Sequence, residues 1–178
     1  MQKKEKGFTL IELIIVIAVI GIISVVSLSF INPFVQFQKA NDAKRKSDLS
    51  QIQKVLEQYY QDMGRYPPNP GACPSNDYRI VKQDGTTVGW NESWTPYINI
   101  LPKDPGSRSY AYVVGGPIDQ QGCPNGQAYY LYASLEREAN DPQVCNPNAS
   151  KCDNAPLSGN PCGSGVCNYG VSSPNVSP

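Results

Sequence analysis

Lys6-Gly7-Phe8-Thr9-Leu10-Ile11-Glu12-Leu13 opens the stretch on which the reading of this chain turns. Residues 13–38 carry no charge over 26 positions, and Val, Ile and Leu dominate their first part. A bilayer-crossing helix takes about 20 mainly apolar residues. Residues 8–31 supply 24, roughly 36 Å of helix at ~1.5 Å per residue. Nothing downstream is large or apolar enough to surround a helix that is hydrophobic on every side. The segment is therefore expected to insert in a membrane.

The flanks give it a direction. Lys3, Lys4 and Lys6 precede the apolar run, which favours a cytoplasmic N-terminus and export of the remainder. A secretory signal has its small-residue cleavage site after the apolar core, and no A-x-A site follows this one. The small residue at the polar-to-apolar junction is Gly7, in front of the core. Cutting there removes a hydrophilic leader and leaves the helix on the mature chain. Glu12 would then be the fifth residue. A charge at mid-membrane costs ~2.5–3.5 kcal/mol on insertion scales, so such residues are usually paired. The new cationic amine on Phe8, four residues earlier, is the natural counter-charge. The pair can form within one chain or between neighbours, and only the second option makes an assembly device. The alternative is an uncleaved signal anchor whose Glu12 snorkels to the headgroups.

The whole string, from Lys6-Gly7-Phe8 through Glu12-Leu13, resembles the prepilin motif of type IV pilins and type II secretion pseudopilins. The resemblance implies cleavage between Gly7 and Phe8 by a membrane prepilin peptidase. It also implies N-methylation of Phe8 and assembly into a helical filament, with Phe8 and Glu12 as the assembly residues.

Asn32-Pro33 interrupts the run. Pro33 either kinks a continuous helix or opens a second one, with Asn32 as N-cap. Beyond it, Leu49, Ile52, Leu56, Tyr59 and Met63 are spaced by three and four. That is one apolar stripe on an amphipathic helix, expected to pack onto the head. Gly64 is its stop signal, with Pro67-Pro68 beyond. The charged stretch from Lys39 to Asp48 reads as a solvated face or a source of salt bridges between subunits. Asp42 and Asp48 dilute its positive charge, which weakens a phosphate or nucleic-acid reading.

Of 15 glycines, 13 lie at or after Gly64, as do 15 of 16 prolines, so the C-terminal part is a turn-rich head. Tyr78-Arg79-Ile80-Val81 and Thr86-Thr87-Val88-Gly89-Trp90 flank Asp84-Gly85 as a hairpin. Residues 110–114 and 128–135 are aromatic and β-branched enough for two further strands. Trp94-Thr95-Pro96-Tyr97, then Leu101-Pro102-Lys103-Asp104-Pro105-Gly106 and Tyr110, resemble the loop before the sheet in major pseudopilins. Those proteins carry a carboxylate-rich calcium loop near the C-terminus. Calcium takes six to eight oxygen ligands. This chain has Glu136, Glu138, Asp141 and Asp153 there, without a D-x-D-x-D pattern, so no calcium site is carried over and no cofactor is expected.

Cys73, Cys123, Cys145, Cys152, Cys162 and Cys167 form an even set in a part expected outside the cytoplasm, where disulfides are the default. Six cysteines allow fifteen pairings, and sequence selects none. Four of them lie in residues 145–167, among Asn, Pro, Gly and Ser, a segment too poor in apolar residues for a core of its own. Residues 171–178 are expected to be poorly ordered.

The chain of 178 residues has a formal net charge of zero and no histidine. The charge balance disfavours a nucleic-acid surface. The missing histidine removes Ser-His-Asp and Cys-His catalysis, and no enzyme activity is expected. The fold class is α+β: a long N-terminal transmembrane helix running into an amphipathic helix packed on a small antiparallel sheet, with a Cys-rich C-terminal loop region. The expected divisions are a cleaved leader at 1–7, a membrane and filament-core helix at 8–31, a stalk helix at 32–64, a head at 65–140, and a Cys-rich region with a flexible tail at 141–178. The resemblance implies a homo-oligomeric filament, with other pilins or pseudopilins, an inner-membrane assembly platform and prepilin peptidase as partners. It places the chain as a single-pass protein of the bacterial cytoplasmic membrane with its head outside the cytoplasm. Secretion pseudopilus and surface pilus both remain open. The rival reading is a signal-anchored extracytoplasmic binding module that does not polymerise.

Overall fold

The computed structural model describes residues 7–30, 32–71, 73, 75–120, 122–145, 151–156 and 159–178. Residues 1–6 of the expected leader, with Lys3, Lys4 and Lys6, lie outside the described residues. Two compact units make up the chain, Met1–Phe37 and Gln38–Pro178.

In the first unit, α1 spans Leu10–Phe30. Its window Leu10–Ser27 is long and apolar enough to cross a membrane, and none of it is buried. Large side chains along it are exposed by 48% at Val16 to 77% at Leu10. A helix satisfies its own backbone, as the interior of a bilayer demands. Asn32 then starts a new helix, α2, which spans Pro33–Met63. The Asn32 side-chain oxygen accepts from the Val35 N–H at 3.4 Å. Pro33, with no N–H to satisfy, takes the first helical position. Of the two readings of Asn32-Pro33, the structure shows the capped start.

In the second unit, α2 lays Leu49, Ile52, Val55, Leu56 and Tyr59 into the core, all nearly inaccessible to solvent. The helix stops at Gly64, whose N–H donates to Tyr60 O at 2.8 Å while its φ of +67° takes the chain out of the helix. Glycine adopts that left-handed conformation without strain.

Short strands follow. β1 (Ile80–Val81) and β2 (Thr87–Val88) form the hairpin expected around Asp84-Gly85. β3 (Ala111–Gly115), β4 (Ala128–Ala133) and β5 (Tyr169–Ser172) form an antiparallel sheet in the order β3-β4-β5. Ala111 sits opposite Tyr132 in the first pair, and Leu131 opposite Val171 in the second. The tail, expected to lose order from residue 171, thus begins as a paired strand. With only Tyr169 and Val171 apolar, it owes its place to β4 rather than to a local signal.

Alternation gives the sheet two apolar faces. Tyr110, Tyr112 and Val114, with Tyr129, Leu131 and Ala133, join the α2 stripe in one core, together with Trp94 and Leu101. Ala111 and Tyr132 face the other way and pack with Cys152, Ala155, Cys162 and Cys167. The Cys-rich segment therefore covers the back of the sheet. The architecture is α+β, as expected.

Candidate assembly segment and ionic clasp

Residues 7–9 precede α1 without helical structure, and Phe8 is 87% exposed. Thr9 and Glu12 close on each other. The Thr9 N–H and hydroxyl both donate to Glu12 Oε2, at 3.3 and 3.2 Å, and the Glu12 N–H donates to Thr9 Oγ1 at 3.3 Å. This is a reciprocal capping box: Thr9 sits at the N-cap and Glu12 three residues on. It satisfies donors that a helix start leaves open, and it sets a carboxylate against the positive end of the helix dipole. The T-x-x-E spacing before an apolar run was the available signal, overshadowed by the pairing of Glu12 with Phe8.

In the second unit the charged stretch of α2 departs from expectation. Asp42, Arg45 and Asp48 are buried, and Arg45 is 0% exposed, although a solvated face or contacts between subunits were expected. Lys39 and Lys44 do stay exposed. The Arg45 Nε donates to Asp104 Oδ2 at 2.6 Å and Nη2 to Asp104 Oδ1 at 3.2 Å. Nη1 reaches Asp42 Oδ1 and Glu136 Oε1, each at 2.9 Å. Asp42 also accepts from the backbone N–H groups of Glu136 and Arg137, at 2.8 and 3.0 Å. Asn41 donates to Glu136 at 3.2 Å, and Lys46 to Asp141 at 2.6 Å and Gln143 at 2.8 Å. One turn and a half of α2 thus grips residues 136–143 and the loop at Asp104. The partners lie 59 to 97 positions away in sequence, beyond any local pattern. A signal did exist: residues 42, 45 and 49 step by three and four onto the same face as the apolar stripe.

The clasp tunes its own members. Burial alone would raise the Asp104 pKa, but the Arg45 hydrogen bond and the Gly106 N–H outweigh it and hold the carboxyl below the usual range. Asp141 behaves likewise: burial opposes, while Lys46 and the Gln143 N–H prevail. Burial would lower the Arg45 pKa, yet its carboxylates push it above the ordinary arginine value. Beside this group the Tyr110 hydroxyl donates to Asp48 at 2.7 Å, and burial first, then Asp48, raises its pKa.

Three of the four acids weighed for calcium are occupied by partners within the head. Glu136 takes Arg45 and Asn41, Glu138 takes the Asn168 amide at 2.8 Å, and Asp141 takes Lys46. Among the described residues no three of His, Cys, Asp and Glu form a metal-binding group. This donor set does not fit calcium, which needs several oxygens turned toward one point.

The cysteines pair as Cys73–Cys123, Cys145–Cys152 and Cys162–Cys167, with Cα separations of 5.2, 4.8 and 5.5 Å. The first joins the segment after α2 to the loop before β4. The other two staple the layer behind the sheet, where Cys152 and Cys162 are fully buried. Elsewhere the second unit holds an open groove of about 620 Å³ beside Gln53, Glu57 and Tyr129.

Two family descriptions match this sequence. Residues 2–28 match the prokaryotic N-terminal methylation motif. Residues 32–121, just over half the chain, match protein G of the type II secretion system (T2SS). β4, β5 and five of the six cysteines lie beyond that second match. No curated protein and no solved structure matches the chain.

Proposed function

The chain belongs to the type II secretion system protein G family, and we propose that it is a structural subunit of a secretion pseudopilus. Its work on this reading is mechanical rather than catalytic. The apolar α1 stores the subunit in the cytoplasmic membrane, single-pass, with the head outside the cytoplasm. Prepilin peptidase cuts between Gly7 and Phe8, and the freed Phe8 amine is methylated. The same helix then enters the filament core, where helix contacts replace lipid contacts and the apolar surface never meets water.

Glu12 sets the register. Its capping bonds to Thr9 keep the carboxylate satisfied at the helix start until a neighbour's Phe8 amine arrives. The observation that carries the reading is the methylation motif over residues 2–28, whose apolar part from Leu10 onward is a helix with a membrane-length window that is wholly unburied. The mass of the N-terminal peptide from the native host tests it. A chain beginning at methylated Phe8 is expected. A chain beginning at Met1 would leave the signal-anchored binding module as the better account, as would a Glu12→Ala chain whose function is intact.

One observation favours a surface pilus instead. The disulfide-laced tail lies outside the protein G match; cross-links suit periplasm and cell surface alike, so it is this departure from the secretion family that favours the pilus. Shearing cells separates the two machines. Recovery of this subunit in long sheared fibres supports the pilus, and retention with the cells supports the pseudopilus.

A further inference from the structure

We propose that Arg45 and Lys46 of α2 form a built-in cation, binding the carboxylates of residues 104, 136 and 141 so that the head holds its C-terminal layer without calcium. The inference rests on the geometry of the second unit alone and stands apart from the filament reading.

A bound divalent ion draws carboxylates from separate chain segments to one point. Here two adjacent side chains do that work, with the same total charge of two. Arg45 forks to Asp104 with Nε and Nη2, while its Nη1 spans Asp42 and Glu136. Lys46 takes Asp141 and Gln143. Three stretches of chain converge: residues 41–46 of α2, the loop at 104–106, and the segment after β4.

Three of the carboxylates accept backbone N–H groups as well. Asp42 accepts the Glu136 and Arg137 N–H groups. Asp104 accepts the Gly106 N–H at 2.8 Å, and Asp141 the Gln143 N–H at 2.9 Å. A calcium ion would have to displace a fully buried guanidinium that is covalently part of α2, and break these backbone bonds too. A hard cation gains from replacing water, not from replacing an enclosed ion of the same sign with its hydrogen bonds already made. Beyond residue 143 the chain passes to Cys145–Cys152 and Cys162–Cys167, so covalent links complete the layer that the cation begins.

The test uses the full chain in detergent micelles. Thermal unfolding of the head is followed in millimolar calcium chloride and in excess EGTA. Equal midpoints are expected, because a ligand that does not bind the native state does not stabilise it. A midpoint several degrees higher in calcium would overturn the proposal, and that reading needs no variant to fold. Arg45→Ala leaves Asp42, Asp104 and Glu136 facing an emptied space. Its midpoint in EGTA is expected to fall, and residues 136–143 to become sensitive to protease. Protease resistance equal to the unsubstituted chain would also overturn the proposal. Glu136→Gln, a milder change, reports the same protease sensitivity if Arg45→Ala does not accumulate.

Discussion

The Tyr110 hydroxyl donates to Asp48 Oδ2 at 2.7 Å, with Tyr110 0% and Asp48 5% exposed. It is a charge-assisted bond across the seam between α2 and the sheet. Lys44 holds the other carboxylate oxygen at 3.2 Å. Tyr110→Phe removes the donor and keeps the ring. A hydrogen bond to a charged group contributes about 1.5–3 kcal/mol, so the unfolding midpoint in urea should fall by that equivalent with an unchanged slope.

Acid should loosen the head through Asp104 and Asp141. Both are held below the ordinary carboxyl range when folded, for burial opposes ionisation but Arg45 and Lys46 outweigh it. The unfolded chain then binds more protons than the native one as pH drops through about 4, the unfolded value. The stabilisation is complete above that value and is lost as pH falls through the folded values. Melting midpoints recorded down a pH series should show this acid limb. Asp104→Asn should flatten it, while lowering stability at neutral pH by ~3–5 kcal/mol, the usual cost of stripping one partner from a buried pair.

Alkali should act through the tyrosines. Burial raises the pKa of Tyr66, Tyr110, Tyr112 and Tyr129, with Glu57 adding to the effect at Tyr66. Their neutral forms belong to the native state. Stability is therefore full below about 10, the unfolded tyrosine value, and declines as pH rises above it. Tyrosinate absorbance should rise in two stages: exposed rings first, then the buried set in one cooperative step together with loss of circular dichroism.

The three disulfides should rank by the loops they close. Cys73–Cys123 spans 50 positions and Cys162–Cys167 only 5. In the chain-entropy account these correspond to about 4 and about 2 kcal/mol. Paired Cys→Ser variants unfolded in denaturant should keep that order. A reversed order would show that packing of the fully buried Cys162 outweighs loop closure.

Much of the fold was legible because its signals are local. The uncharged run, the three-and-four spacing from Leu49 to Met63, and the aromatic and β-branched composition of residues 110–114 and 128–135 can each be read within a short window. β5 was not legible, since four residues with two apolar side chains look like any loop until β4 lies beside them. The site divided along the same line. Glu12 stood out as a charge in an apolar field. Arg45 was hidden, because burial of a cation depends on acids at 104 and 136 that no local window contains.

The sheet between α2 and the Cys-rich layer acts as a partition. β4 turns Tyr129, Leu131 and Ala133 toward the helix and Tyr132 toward the cysteines. Remodelling of the rear layer, by insertion, deletion or a new cross-link, meets the sheet through that rear surface and reaches α2 only through the clasp at residues 136–143. The Cys-rich layer can accordingly vary between those two anchors while the packing of the α2 stripe on the opposite face of the sheet stays as it is.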